Sequence, residues 1–179
     1  SLEEMMILDA GKGLEDFNRV YKINVFDEAN NVRNYKQLER YIEKKYYKGG
    51  FACAVSSGTS ALFLAIKSLT KKKNPRILAP TYACSAVLNA INLANGIPLI
   101  ADINKDDLSL NTNQKYSKID IVIALNIYGS EPNLKKIKKK YPNAKIILDA
   151  CHSIGKIITK KSIAYKSDIV IHSFYATKI

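Results

Sequence analysis

The chain has 179 residues, 47% hydrophobic and 25% charged, which is enough to bury one core and ordinary for a soluble globular protein. Its net charge of +12 raises nucleic-acid binding, but only four of the 28 basic residues are arginine and no aromatic–basic interleaving accompanies them, so the lysine runs at 71–73 and 135–140 are read as a solvated helix end and a helix face. No apolar run reaches the length of a membrane span and no basic-then-apolar segment opens the chain, so neither nucleic acid nor membrane is expected as a partner, and the expected location is cytoplasmic.

In chain order, the first 30 residues show no strong pattern beyond a short helical stretch at 14–21. From Asn31 the pattern sharpens. Val32, Tyr35, Leu38, Ile42 and Tyr46 recur every three to four residues among charged ones, which predicts an amphipathic helix stopped by Gly49 and Gly50. Residues 51–55 read as a buried strand, Ser56, Ser57, Gly58 and Thr59 as a small-residue turn, and 61–69 as a helix. Such a turn leaves backbone N–H groups free at the positive end of a helix, where phosphate is well placed. Ser and Thr are equally ordinary N-caps, and the turn alone does not separate the two readings.

The next predicted strand, 76–79, is ended by Pro80, Thr81 and Tyr82. A helix at 83–94, closed by Asn95 and Gly96, leads to a strand at 97–103 and a polar, irregular stretch at 106–118. A strand at 121–125 is stopped by Asn126, Ile127, Tyr128 and Gly129, and Pro132 opens a lysine-rich helix running to Tyr141. A strand at 145–148 ends in Asp149, Ala150, Cys151 and His152, and the last strand, 169–171, leads through Ser173 to Lys178. Strands rich in Val, Ile, Leu and Ala alternate with helices, which predicts an α/β fold: a mostly parallel sheet flanked by helices.

Ligands of such sheets bind beyond the carboxyl ends of the strands. Ser57, Gly58, Thr59, Thr81, Tyr82, Tyr128, Asp149, His152, Ser173 and Lys178 all fall there. The three cysteines, Cys53, Cys84 and Cys151, form no CxxC pair and are predicted to be small buried hydrophobes. Cys151 and His152 are not expected to act as thiol and base, because neighbours on an extended chain face opposite sides.

A phosphate cradle, a strand-end aspartate and a lysine together suit pyridoxal phosphate, an aldehyde that bonds to a lysine amine and acts as an electron sink. Asp149 would keep the pyridine nitrogen protonated, and desolvation would make the Lys178 amine reactive. Taken singly, the carboxylate also reads as a cap or ion-pair partner and the lysine as a solvated amine.

The segments "VSSGTSAL", "APTYACSAVLNAINLANGIPLIADIN", "NIYGSEPNL", "ILDACHSIG" and "SDIVIHSFYATK" follow one another in an order that resembles the DegT/DnrJ/EryC1/StrS family of sugar aminotransferases, of the fold type I superfamily. The resemblance covers residues 31–178. It implies that Lys178 carries the cofactor covalently and shuttles the proton, and that Asp149 faces the ring nitrogen. His152 would lie beside the ring, Gly58, Thr59 and Ser60 at the phosphate, and Ser173 would be a further phosphate ligand. It also implies amino transfer from glutamate to a nucleotide-linked keto-sugar, in surface-polysaccharide, lipopolysaccharide or antibiotic sugar synthesis, by a homodimer.

Two departures stand out. Many members stack an aromatic ring on the cofactor at the position of Cys84; here the Cys84 thiol would bind by van der Waals contact with the cofactor ring but has no π-face, so stacking would be weaker or come from elsewhere, with Tyr82 one alternative. Family members also continue well past the lysine. Residues 1–30 are therefore expected to be an N-terminal segment and 31–179 part of the large cofactor-binding domain, with the small C-terminal domain absent. A non-catalytic truncated relative, or another fold type I enzyme acting on amino acids, are the alternatives. Relatives with His in place of the lysine are dehydratases, so Lys178 favours the transaminating branch.

Overall fold

The computed structural model describes residues 6–10, 35–46, 51–153 and 167–173. The predicted helix at 14–21 and Lys178 lie outside these residues. Among the described residues seven strands form one sheet: β1 (Met6–Ala10), β2 (Ala52–Val55), β3 (Arg76–Pro80), β4 (Ile97–Ala101), β5 (Ile121–Leu125), β6 (Lys145–Asp149) and β7 (Ile169–Ser173), in the order β2-β1-β7-β6-β5-β3-β4. The five strands from β7 to β4 are parallel, and β1 runs antiparallel to both β2 and β7. The sequence pattern did not mark β1, whose partners lie 40 residues and more downstream.

Strand β5 explains the continuous apolar runs. Ile121, Ile123 and Leu125 face the side occupied by α2 (Gly58–Leu69) and α3 (Ser85–Leu93). Val122 and Ala124 face the side occupied by α4 (Leu134–Lys140). A strand covered on both faces gains nothing from a polar alternate position. Ala61, Leu62, Ala65 and Ile66 of α2, and Val87, Ala90 and Ile91 of α3, complete the first layer; Leu134 and Ile137 of α4 anchor the second.

The ends of the elements follow local chemistry. Helix α2 starts at Gly58 rather than Ala61, because the Ser57 side chain accepts the Ser60 N–H and caps the turn. Asn95, at φ 57°, takes the left-handed conformation that ends α3, while the Gly96 N–H returns to the Ile91 carbonyl at 2.8 Å. Asn133, not Pro132, caps α4, by accepting the Lys136 N–H at 3.0 Å. Asp120 and Asp168, each just ahead of a strand, accept an N–H at the start of the neighbouring strand, from Arg76 at 2.8 Å and from Ile146 at 2.7 Å. Each also pairs with a lysine, Lys72 and Lys145 respectively. Burial works against the Asp120 carboxylate, but the Lys72 and Arg76 contacts outweigh it and hold its pKa below the usual range.

At the sheet edge, α1 (Tyr35–Tyr46) covers β2. Glu39 accepts the Ala54 N–H at 2.7 Å and Glu43 the Ala52 N–H at 2.9 Å. Two carboxylates one helical turn apart thus match two amides two residues apart on a strand that, among the described residues, is the edge of the sheet. The lysine-rich face of α4 is not wholly solvated: Lys138 donates to the Ala144 carbonyl at 2.9 Å, and Lys140 to the carbonyls of Thr112 and Gln114. Among the described residues no helix is long and apolar enough to cross a membrane.

His172 shares the α4-side face of β7 with Val170 and is 4% exposed, with neither ring nitrogen partnered among the described residues. Burial lowers its pKa from 6.5 to about 3. The unfolded chain therefore takes up a proton as the pH falls through 6.5, whereas the folded chain resists until near 3. Stability is full above 6.5 and declines below it by up to about 1.4 kcal/mol per pH unit. Urea unfolding at intervals from pH 7 to pH 4 should show this decline, and His172→Phe should flatten it. An equal slope in both proteins would contradict the assignment.

Candidate functional site

A cleft of about 540 Å³ opens beyond the carboxyl ends of β3, β5, β6 and β7 and the start of α2. Its lining includes Ser57, Gly58, Thr59, Tyr82, Cys84, Asn126, Tyr128, Asp149, His152 and Ser173, so one space gathers nearly all the predicted residues from five separate segments. Leu62, Val87 and Leu125 supply apolar wall. A volume in this range, mostly apolar with a few convergent polar groups, is that of a small-molecule site.

Ser60 is the exception among the predicted phosphate residues. It does not line the cleft, and its N–H and hydroxyl are both engaged with Ser57, the two hydroxyls lying 3.0 Å apart. Successive residues on a helix point about 100° apart, so Thr59 can face the cleft while Ser60 turns into the cap. Ser173, 5% exposed, brings the end of β7 to the same space.

Asp149 closes β6, half-buried, and its Oδ1 accepts the Cys151 N–H at 3.0 Å. The Asp149 carbonyl accepts the Asn126 N–H at 2.9 Å, which ties the ends of β5 and β6 together. His152 stacks on Tyr128 with ring centroids 5.7 Å apart and an interplanar angle of 21°. The Tyr128 hydroxyl lies 3.1 Å from that of Tyr82. This contact raises the Tyr82 pKa above its ordinary value of 10.

The three cysteines are free thiols, but Cys84 is exposed rather than buried. It sits just ahead of α3 and lines the cleft. Cys53 and Cys151 are half-buried against the core and His152 is exposed, but Cys151 and His152 both border the cleft. Among the described residues, no three of His, Cys, Asp and Glu cluster to hold a metal ion.

Asn126 emerges from the structure as more than a strand stop. It lines the cleft at 6% exposure, and its Oδ1 has no hydrogen-bond partner among the described residues. A buried orphan of this kind costs about 1–3 kcal/mol unless a ligand or water satisfies it. The signal was available as a polar residue directly after five apolar ones at a strand's carboxyl end.

The family model for the DegT/DnrJ/EryC1/StrS aminotransferases matches residues 12–179. The chain is 26% identical to GDP-perosamine synthase of Vibrio cholerae over 151 residues, covering 80% of this chain and 41% of the relative. It is 27% identical to 3-oxo-glucose-6-phosphate:glutamate aminotransferase of Bacillus subtilis over 129 residues, covering 67% of this chain and 27% of that protein. Among solved structures, NtdA from Bacillus subtilis with bound cofactor PMP superposes with a TM-score of 0.63 at 23% identity, over 75% of this chain and 31% of that one. E. coli GDP-4-keto-6-deoxy-D-mannose-3-dehydratase with bound hydrated PLP gives a TM-score of 0.60 at 22% identity, over 73% and 38%. The chain therefore spans less than half the length of these relatives. With its parallel sheet, its strand-end cleft and a family match over residues 12–179, the chain belongs to the DegT/DnrJ/EryC1/StrS aminotransferase family.

Proposed function

We propose that this chain is the cofactor-facing part of a pyridoxal-phosphate-dependent aminotransferase that moves an amino group from glutamate to the keto group of a nucleotide-linked sugar. The observation that carries the reading is the convergence of Thr59, Asp149 and Ser173 on one cleft at the strand ends of a family fold. The residues present fit the cofactor: hydroxyls and a helix start for a phosphate, a half-buried carboxylate for a ring nitrogen, and the Asn126 amide oxygen, without a hydrogen-bond partner among the described residues, for a further polar group.

When bound, pyridoxal phosphate supplies an aldehyde and an electron-withdrawing ring. The N-terminal amides of α2, with the Thr59 and Ser173 hydroxyls, bind the dianionic phosphate, aided by the helix dipole. Asp149 holds a proton on the ring nitrogen, and its bond from the Cys151 N–H fixes the carboxylate's orientation. His152, stacked on Tyr128, borders the same cleft. Lys178, five residues beyond Ser173, would hold the cofactor covalently and move the proton at the substrate carbon. A cytoplasmic homodimer belongs to the same reading, on the family resemblance.

Incubation of the full chain with pyridoxal phosphate, glutamate and a panel of nucleotide-linked keto-sugars should release 2-oxoglutarate beyond one equivalent per bound cofactor only when a sugar acceptor is present. Turnover of amino acids without any sugar acceptor would overturn the reading in favour of another fold type I activity.

A further inference from the structure

Tyr128 is held in an unfavourable conformation that packing does not reward. Its backbone lies at φ 50°, ψ 29°, in the left-handed region that costs a non-glycine residue about 1 kcal/mol, and Gly129 follows at φ 82°. Two successive left-handed residues turn the chain sharply after β5, yet the Tyr128 side chain gains little burial from it, remaining 72% exposed. Its contacts all lie at the cleft: the ring stacks on His152 and the hydroxyl meets Tyr82, which is itself 48% exposed. Tyr82, Tyr128 and His152 follow β3, β5 and β6, three adjacent strands, so the aromatic chain crosses the mouth from side to side. On the same cleft Cys84 is exposed and offers a thiol, which has no π-face.

We propose that Tyr128, tied to Tyr82 and backed by His152, is a cofactor-binding residue that supplies the aromatic face for the cofactor's ring which Cys84 does not. The inference rests on the pyridoxal phosphate reading. An electron-rich phenol facing a protonated pyridine gains both stacking and cation–π attraction, and its loss corresponds to about tenfold in affinity. The hydroxyl contact with Tyr82 fixes the ring in place, which limits the conformational freedom lost on binding.

The test is titration of the full chain with pyridoxal phosphate, read by induced visible circular dichroism, alongside thermal unfolding. Tyr128→Gly removes the ring and relieves the left-handed strain, so it should bind about tenfold more weakly with a smaller induced signal and no loss of thermal midpoint. Adding Cys84→Phe to that variant should restore most of the affinity by placing a ring on the same cleft. Wild-type affinity in Tyr128→Gly, or a defect that Cys84→Phe leaves untouched, would overturn the proposal alone. A wild-type chain that binds no cofactor would overturn the functional reading and this inference with it.

Discussion

Replacing Lys178 by alanine should lower amino transfer by at least about 10³-fold, because one residue is assigned both the covalent bond to the cofactor and the proton shuttle. Lys178→Arg should fall as far. Arginine keeps the charge but holds its proton at neutral pH, so it can neither attack a carbonyl nor serve as a base. The pair of variants therefore separates chemistry from charge. Activity retained in Lys178→Arg would mean that the residue contributes only a positive field, and sugar-dependent release of 2-oxoglutarate reads both.

Asp149 carries the second large effect. Asp149→Asn keeps an oxygen that can accept the Cys151 N–H, the bond of 3.0 Å that shapes the turn after β6, while removing the charge. The expected loss is about 10²-fold in kcat, the value of a charge-assisted hydrogen bond to a cation in a partly buried site. Asp149→Ala should lose more, since the turn bond goes as well. A wild-type kcat in Asp149→Asn would show that the carboxylate serves the turn and not the ring nitrogen.

Much of the fold was legible because the buried strands announce themselves. Strands β3, β5, β6 and β7 are apolar runs bounded by Pro80, Asn126, Asp149 and Ser173, and each boundary residue also borders or lies near the cleft. What sequence could not show were non-local pairings. Five residues, Met6–Ala10, insert antiparallel between β2 and β7, and nothing in their own pattern names those partners. The site divided in the same way. Thr59, Asp149 and Ser173 line the cleft, where strand-end placement puts them, whereas Ser60 is engaged in the Ser57 cap, because cap geometry sets which side of the helix start it faces. Cys84 was expected to be buried from its apolar neighbours, but it precedes the helix at the cleft and is exposed. The link between Tyr82 and Tyr128 spans 46 residues and depends on a left-handed turn that composition does not reveal.

The most direct test of the central claim is to locate the covalent attachment. Loading the full chain with pyridoxal phosphate, treating it with borohydride to make the bond to the lysine nitrogen permanent, and mapping peptides by mass should place the cofactor on Lys178 and on no other lysine. Attachment at a different one of the 24 lysines, with Lys178 unmodified, would contradict the account.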